Sequence, residues 1–315
     1  MYTVKRGSLW NRFVKVASAT PRIRVADPVY NAQVICEQAK EAAEHGAKIV
    51  VFPELCITGY TCNDLFLQEL LLEKAKEALL TIAEETGQLE TLFLVGLPVD
   101  KDGRLYNVAA VLYRGRILGM IPKKNIPMYA EFYEGRHFTP GEETVTEYRL
   151  GKQVIPFGSN LLFRCEELPE LILGCELCED LWVAEPPSTS HALMGATVIA
   201  NLSASNETVS KDDYRTLLIK ASSARLLCGY IYTSAGEGES TQDLVFGGHD
   251  LIAENGTLLV QSARFTTGIL YTDLDVLKIS SERRRMGTFG KRPMKPYLTV
   301  PFSMQLTGTK LDRKF

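Results

Sequence analysis

Short apolar runs recur along the chain at the spacing expected for buried strands. Four of them contain few polar residues, which is typical of strands covered on both faces. They are residues 48–53, 91–98, 171–178 and 197–202. Further strands are predicted at residues 13–18, 106–113, 117–121, 230–234, 244–252 and 257–262. Tight turns such as Asn255-Gly256 join some neighbouring runs, and this pattern predicts antiparallel hairpins.

Helical periodicity separates several of these runs. Helices are predicted at residues 32–44, 68–86 and 211–228. The first two stop at a glycine, the usual helix terminator. Strand–helix units interleaved with hairpins indicate mixed sheets covered by helices. We therefore predict an α/β fold, a four-layer α-β-β-α sandwich of two mixed β-sheets.

The pattern weakens near the end of the chain. From residue 280 onward, a charged run and a proline-containing stretch replace the regular alternation. We therefore expect residues 1–279 to form one domain. Residues 280–315 are expected to be a tail or linker that leads toward a further domain.

Composition excludes several classes of function. The chain has 315 residues, of which 45% are apolar and 23% charged, and its net charge of -3 offers no basic surface for nucleic acid. No apolar run approaches the roughly 20 residues of a membrane helix, and the first residues do not resemble a signal peptide. We expect neither nucleic acid nor a membrane as a partner.

Cysteine and histidine usage indicates a reduced, cytoplasmic chain without a metal. The seven cysteines are an odd number, and several lie inside apolar runs, where buried thiols are expected. The four histidines are far apart, and none stands at metal-ligand spacing from a cysteine.

Three strand-like runs end in a side chain of strong chemical character. Glu54 follows residues 48–53, Lys123 follows residues 117–121, and Cys178 ends residues 171–178. A carboxylate can take the proton of a thiol, and an ammonium can stabilise first the thiolate and then an oxyanion. Because a free thiol titrates near ~8.5, we expect Lys123 to lower the pKa of Cys178.

Each of these residues also has a plain structural interpretation. Glu54 can be a surface carboxylate, Lys123 part of a solvated loop with Lys124, and Cys178 a buried structural thiol. Cys175 and Cys178 have the spacing of a redox pair, but both fall in a strand rather than at the start of a helix. A dithiol switch and a zinc site remain minor alternatives. No histidine occupies a comparable strand end, which argues against a papain-like Cys–His pair.

At these residues the chain resembles the nitrilase (carbon–nitrogen hydrolase) superfamily, and within it the glutaminase domains of glutamine-dependent NAD synthetases. The strings that carry the resemblance are 52–66 (FPELCITGYTCNDLF), 122–123 (PK) with 129–134 (YAEFYE), 178–183 (CEDLWV) continuing to 186–188 (PPS), and 201–205 (NLSAS). They lie within residues 10–275 and are specific in combination.

The resemblance implies a role for each residue of the triad. Glu54 would be the general base, Lys123 would stabilise the oxyanion, and Cys178 would form a γ-glutamyl thioester with release of ammonia. The backbone N–H of Glu179 would be the second oxyanion donor. Glu131 would be the additional glutamate beside the lysine.

The resemblance also implies the substrate and the partners. Tyr129, Ser205 and Lys211 match the expected contacts with free L-glutamine. A cation at the start of a helix opposes the helix dipole, and an anionic ligand would relieve that conflict at Lys211. The glutaminase step would need no cofactor, whereas ATP and magnesium would serve a synthetase domain expected beyond residue 315. Such proteins form homo-oligomers.

Three hypotheses follow from these residues and motifs. The first is a glutamine amidohydrolase that supplies ammonia for ATP-dependent NAD synthesis from nicotinic acid adenine dinucleotide. The second is a stand-alone nitrilase-like amidase that acts on another small amide or N-carbamoyl compound. The third is a non-catalytic scaffold with the same fold.

Overall fold

A computed structural model describes residues 13–290, 296–306 and 310–313. Its strands are β1 (Phe13–Thr20), β2 (Ile49–Val51), β3 (Leu92–Lys101), β4 (Arg104–Tyr113), β5 (Arg116–Pro122), β6 (Thr146–Leu150), β7 (Gln153–Phe157), β8 (Leu161–Cys165), β9 (Ile172–Leu177), β10 (Val198–Ser203), β11 (Gly229–Ser234), β12 (Leu251–Glu254), β13 (Thr257–Gln261), β14 (Gly268–Asp275) and β15 (Leu298–Phe302). Its α-helices are α1 (Pro28–Glu44), α2 (Glu69–Glu85), α3 (Pro187–Leu193), α4 (Lys211–Leu226) and α5 (Val276–Arg285).

The strands form two mixed sheets. In the first sheet the order is β14-β1-β2-β3-β4-β5-β7-β6, and in the second it is β13-β12-β11-β10-β9-β8-β15. Strands β1, β2 and β3 are mutually parallel, as are β9, β10 and β11. Two mixed sheets with helices outside them confirm the predicted four-layer architecture.

Side chains alternate between two cores along the buried strands. In β2, Ile49 and Val51 lie in the core between the two sheets, whereas Val50 lies in the core beneath α1 and α2. A third core joins the second sheet to α3 and α4, with Ile199 and Ile219 among its members. Strands buried on both faces carry apolar residues at every position, which is why these runs lack polar alternation.

The hairpins predicted from turn chemistry are present. β12 and β13 are joined by Asn255 and Gly256, which have φ values of 46° and 86°. β3 and β4 are joined by Asp102 and Gly103, with φ values of 52° and 73°. Two consecutive positive φ angles twist the chain in the sense that neighbouring strands require.

The strand predicted at residues 244–252 is largely wrong. Only residues from Leu251 onward form β12, and the preceding segment is an irregular, mostly buried loop. One isolated bridge, between Asn206 and Phe246, ties this loop to the segment after β10. Its apolar residues pack in a loop cluster near the strand ends, a tertiary environment that periodicity does not reveal.

The predicted division at residue 279 is also wrong. Position 279 lies inside α5, whose first residue follows the N-cap Asp275. Further along, β15 pairs in parallel with β8 as the edge strand of the second sheet. Arg313 then reaches back to the buried Glu254, with NH1 2.6 Å from Oε2. The described residues after 279 are therefore part of the same domain.

None of the helices in the described ranges is long and apolar enough to cross a membrane.

Candidate active site

The carboxyl ends of strands from both sheets meet at one edge of the sandwich. Glu54 lies three residues after β2, Lys123 directly follows β5, and Cys178 directly follows β9. The Glu54 N–H donates to Ser203 O at 3.3 Å, which joins the end of β2 to the end of β10 across the two sheets. The structure therefore brings the three predicted residues together.

Lys123 is held between two carboxylates in the interior. Its Nζ lies 2.7 Å from Glu54 Oε1 and 2.6 Å from Glu134 Oε1, and the lysine is fully buried. Burial alone would lower the pKa of Lys123, but Glu134 and Glu54 outweigh it and raise that pKa well above its usual value. Lys123 is therefore an ammonium, and two of its three donors are engaged.

The glutamate beside the lysine is Glu134, so the expectation that Glu131 takes this place is wrong. Glu134 is buried, and its Oε1 also accepts a hydrogen bond from Tyr60 OH at 2.9 Å. Glu131 is partly exposed and accepts a hydrogen bond from Asn206 Nδ2. The chain turns just before Glu131, where Ala130 has a φ of 48°, so sequence distance from the lysine is a poor guide here.

Every oxygen of the Glu54 carboxylate has a donor. Oε1 accepts from Lys123 Nζ and, at 2.6 Å, from Asn107 Nδ2, and Oε2 accepts from the Ala204 N–H at 2.8 Å. Asn107 Nδ2 also reaches Glu134 Oε2 at 3.4 Å. These contacts hold Glu54 in one orientation, which a general base requires.

Cys178 starts a 3-10 turn, Cys178–Leu181, with a φ of 39°. A positive φ at a non-glycine residue is a strained conformation that the surrounding structure must impose. The Ala204 N–H donates to Glu54 Oε2, and both Glu54 and this N–H influence the pKa of the Cys178 thiol. The thiol therefore lies within electrostatic reach of Glu54 and Lys123.

The resting thiol is protonated. Burial and the Glu54 carboxylate raise the pKa of Cys178 far above its usual value, and Lys123 opposes them only in part. Lys123 does lower the pKa of Cys178, as expected, but the net shift of that pKa is upward. Burial and the two carboxylates, Glu54 and Glu134, outweigh the single positive charge of Lys123 at the thiol. The proton must leave Cys178 during the reaction, and Glu54 is placed to take it.

The residues predicted to contact substrate lie around the same thiol. Tyr129 OH donates to both Glu179 carboxylate oxygens at 3.0 Å. Lys211 Nζ lies 5.1 Å from the ring centroid of Trp182 and 5.6 Å from that of Phe132. Burial lowers the pKa of Lys211, and the interaction with Cys178 opposes that effect.

Ser205 and Asn206 continue this lining from the end of β10. The Ser205 N–H donates to Ser234 Oγ at 3.2 Å, and Ser205 itself is buried. Asn206 connects two of the predicted residues, since its Nδ2 donates to Glu131 and its Oδ1 accepts from Lys211 Nζ. Residues on α4, the β10 end and the loop at 129–134 therefore share one hydrogen-bonded wall.

Sequence reasoning missed several members of the site, namely Tyr60, Asn107, Glu134, Asn206 and Arg215. Tyr60 and Glu134 stand inside the strings that carry the resemblance, so a signal for them was available. Asn107 lies within a predicted strand, where a single polar residue in an apolar run is a sign of an inward-facing polar contact. Arg215 in a predicted helix carries no comparable signal.

Among the described residues, no group of three or more histidines, cysteines, aspartates or glutamates could hold a metal ion. The acid–base groups assembled around Cys178 belong to the protein itself.

Comparisons with known proteins agree with this geometry. A family model described as carbon–nitrogen hydrolase matches residues 15–284. The chain belongs to the carbon–nitrogen hydrolase family. The glutamine-dependent NAD(+) synthetase of Mycobacterium tuberculosis is 43% identical to this hydrolase over 279 residues, covering 88% of this chain and 41% of that protein. The corresponding protein of Thermotoga maritima is 32% identical, covering 84% of this chain and 43% of that protein.

Solved structures show the same relationship. A crystal structure of a glutamine-dependent NAD(+) synthetase from Cytophaga hutchinsonii matches with a TM-score of 0.75 and 28% identity, over 83% of this hydrolase and 43% of that chain. An amidase from Nesterenkonia sp. matches with a TM-score of 0.65 at 21% identity, over 87% of this chain and 94% of that one, which shows a shared fold. This carbon–nitrogen hydrolase spans about two fifths of the length of the synthetases it matches.

Proposed function

We propose that this chain hydrolyses the side-chain amide of L-glutamine through a thioester on Cys178. The observation that carries the proposal is the buried Lys123 ammonium held between Glu54 and Glu134, with all three groups acting electrostatically on the buried Cys178 thiol. This arrangement contains a nucleophile, a base and an oxyanion donor within one buried cluster.

In the first half of the reaction, Glu54 takes the Cys178 proton as Sγ attacks the amide carbon. The carbonyl oxygen becomes an oxyanion, which the remaining Lys123 donor and the Glu179 backbone N–H stabilise. Glu179 is the second residue of the 3-10 turn, where backbone N–H groups have no partner inside the turn. Glu54 returns the proton to the leaving nitrogen, the C–N bond breaks, and ammonia departs.

In the second half, Glu54 takes a proton from water, and the resulting hydroxide attacks the thioester carbon. The C–S bond breaks, glutamate is released, and the proton returns to Cys178 Sγ. In this proposal the protein groups and water are sufficient for the glutaminase step.

The substrate assignment is supported by the lining of the site. Lys211 provides a cation for the α-carboxylate of a free amino acid, and Ser205 and Tyr129 provide hydroxyl groups nearby. The similarity to glutamine-dependent NAD(+) synthetases favours glutamine over other small amides.

For the whole protein, we propose that the ammonia is used for ATP- and magnesium-dependent synthesis of NAD from nicotinic acid adenine dinucleotide by a synthetase unit. We also propose a homo-oligomeric assembly. A reducing, cytoplasmic compartment is supported by the seven cysteines, all of which are buried free thiols within the described residues.

A thiol-alkylating glutamine analogue, followed by mass spectrometry, tests the glutaminase proposal. The expected result is one label on Cys178 that excess glutamine prevents, together with release of ammonia from glutamine but not from a panel of short amides. Labelling of another cysteine, or faster turnover of a short amide than of glutamine, would contradict the proposal.

A further inference from the structure

Arg215 is a buried cation that the proposed reaction does not use. It lies on α4, one turn after Lys211, and its side chain is fully buried. Its hydrogen bonds are made by NH1 and NH2, whereas its buried Nε has no partner among the described residues, so the contacts of the two terminal nitrogens show what Arg215 holds in place.

NH1 of the guanidinium is hydrogen-bonded to one carboxylate and one imidazole. NH1 donates to Glu207 Oε1 at 2.6 Å and to His249 Nδ1 at 3.0 Å. Because arginine can only donate, His249 Nδ1 must be an acceptor, and the imidazole is neutral. Burial and the Arg215 charge lower the pKa of His249 to about 4, in agreement with this assignment. The charge of Arg215 is thus balanced by Glu207.

The other arm holds the end of β10. NH2 donates to Ser205 Oγ at 3.3 Å and to Asn206 O at 3.2 Å. Together with Glu207, three consecutive residues are therefore bound by one planar group. Asn206 in turn accepts a hydrogen bond from Lys211, so the position of that cation also depends on the same segment.

We propose that Arg215 is a specificity-determining positioning residue: it holds Ser205 and Asn206, and through Asn206 Lys211, in the arrangement that binds the charged end of an α-amino-acid amide. The inference rests on the proposed glutaminase function. Arg215 is given no part in C–N cleavage, because its hydrogen bonds go to Ser205, Asn206, Glu207 and His249 and not to Glu54, Lys123 or Cys178.

Replacement of Arg215 by lysine separates this role from a general structural one. Lysine retains a cation for Glu207 but is a point charge that cannot also span Ser205 and Asn206. For Arg215→Lys we expect the KM for glutamine to rise about tenfold while kcat changes less than about threefold. The rate of Cys178 alkylation by iodoacetamide, which has no α-carboxylate, should remain that of the parent chain.

Arg225→Lys is the matched control, since Arg225 is exposed on the same helix. We expect it to leave KM, kcat and the alkylation rate unchanged. Thermal unfolding is measured for each variant. If Arg215→Lys does not fold, the paired change of Arg215→Met with Glu207→Leu removes both buried charges together and should show the same rise in KM.

A double-mutant cycle with Ser205→Ala tests whether Arg215 affects the KM for glutamine through Ser205. If Arg215 acts through Ser205, the double variant should have nearly the KM of Arg215→Lys alone. A fall in kcat at unchanged KM, a matching loss of alkylation rate, or fully additive effects would overturn the positioning role. A parent chain that iodoacetamide labels at Cys178 but that does not hydrolyse glutamine would instead refute the proposed function, and with it this inference.

Discussion

Lys123 Nζ lies 2.6 Å from Glu134 Oε1, and this contact is as short as that of Lys123 with the predicted partner Glu54. Two carboxylates around one ammonium leave the cluster with a net negative charge. Since burial already disfavours a thiolate, this charge helps to keep Cys178 protonated until substrate is bound.

Replacement of the two neighbouring cysteines should separate chemistry from packing. Cys178→Ala removes the nucleophile, so we expect kcat for glutamine to fall by at least about 10³-fold with little loss of stability. Cys175→Ala, three residues earlier in the core between the sheets, should cost about 1 kcal/mol in unfolding free energy and retain activity. Comparable activity loss in both variants would contradict a special role for Cys178.

Glu134→Gln should impair catalysis far more than Glu131→Gln. The amide that replaces the Glu134 carboxylate loses the negative charge beside Lys123 and directs an NH₂ group at one of its donors, Lys123, Tyr60 or Asn107. We expect kcat to fall about 10²-fold. Glu131→Gln retains an oxygen acceptor for Asn206 and should change kcat less than about threefold. Steady-state ammonia release measures kcat for both variants. A larger fall in kcat for Glu131→Gln than for Glu134→Gln would indicate that Glu131 is the glutamate that acts with Lys123.

Gly96 allows β3 to approach the backbone that carries Glu54. A Cβ at this position would lie 2.3 Å from Leu55 N and 2.6 Å from Pro53 O. Gly96→Ala must therefore displace the segment after β2, and we expect a loss of about 2 kcal/mol in unfolding free energy together with a reduced kcat. Gly287→Ala, where nothing lies within 4 Å, is the control. Urea unfolding and ammonia release test both variants, and full activity in Gly96→Ala would contradict this view.

Asp250 should make the chain less stable as the pH rises from about 4 to about 7. Burial raises the pKa of Asp250 from 3.8 to about 7, so the folded state binds a proton that the unfolded state has already released. This contribution to stability is complete below the unfolded pKa and is lost as the pH approaches the folded pKa. Asp250→Asn mimics the protonated acid, because its oxygen can accept from the Ser234 N–H and its NH₂ can donate to Thr20 Oγ1.

The measurement is the free energy of unfolding in urea at pH 4.5 and pH 7. The difference between the two pH values should be smaller in Asp250→Asn by about 2–4 kcal/mol. A difference identical to that of the parent chain would show that Asp250 is ionised in the folded state.

Much of the architecture can be predicted from the sequence because buried strands and hairpin turns have local sequence signatures. The runs that became β2, β3, β9 and β10 are apolar at nearly every position, and Asn255-Gly256 has the turn chemistry of its hairpin. The prediction failed where packing decides the conformation. Residues 244–250 are apolar enough to predict a strand, but they form a buried irregular loop. The segment that contains most of α5 and all of β15 is polar and contains proline, which predicts a tail rather than part of the domain.

By itself, the sequence determined the α/β class, the strands β1–β5, β9–β11 and β13, and the placement of a carboxylate, an ammonium and a thiol at three strand ends, whereas β6, β7, β8, β14 and β15 were not predicted. These features depend on side-chain type and period, which are local properties of the chain. Only the tertiary structure decided that Glu134 rather than Glu131 contacts Lys123, that Cys178 rests as a thiol, and that Arg215 holds the end of β10. Distances between groups far apart in sequence, and the removal of water around them, set these pKa values and contacts, and both exist only in the folded chain.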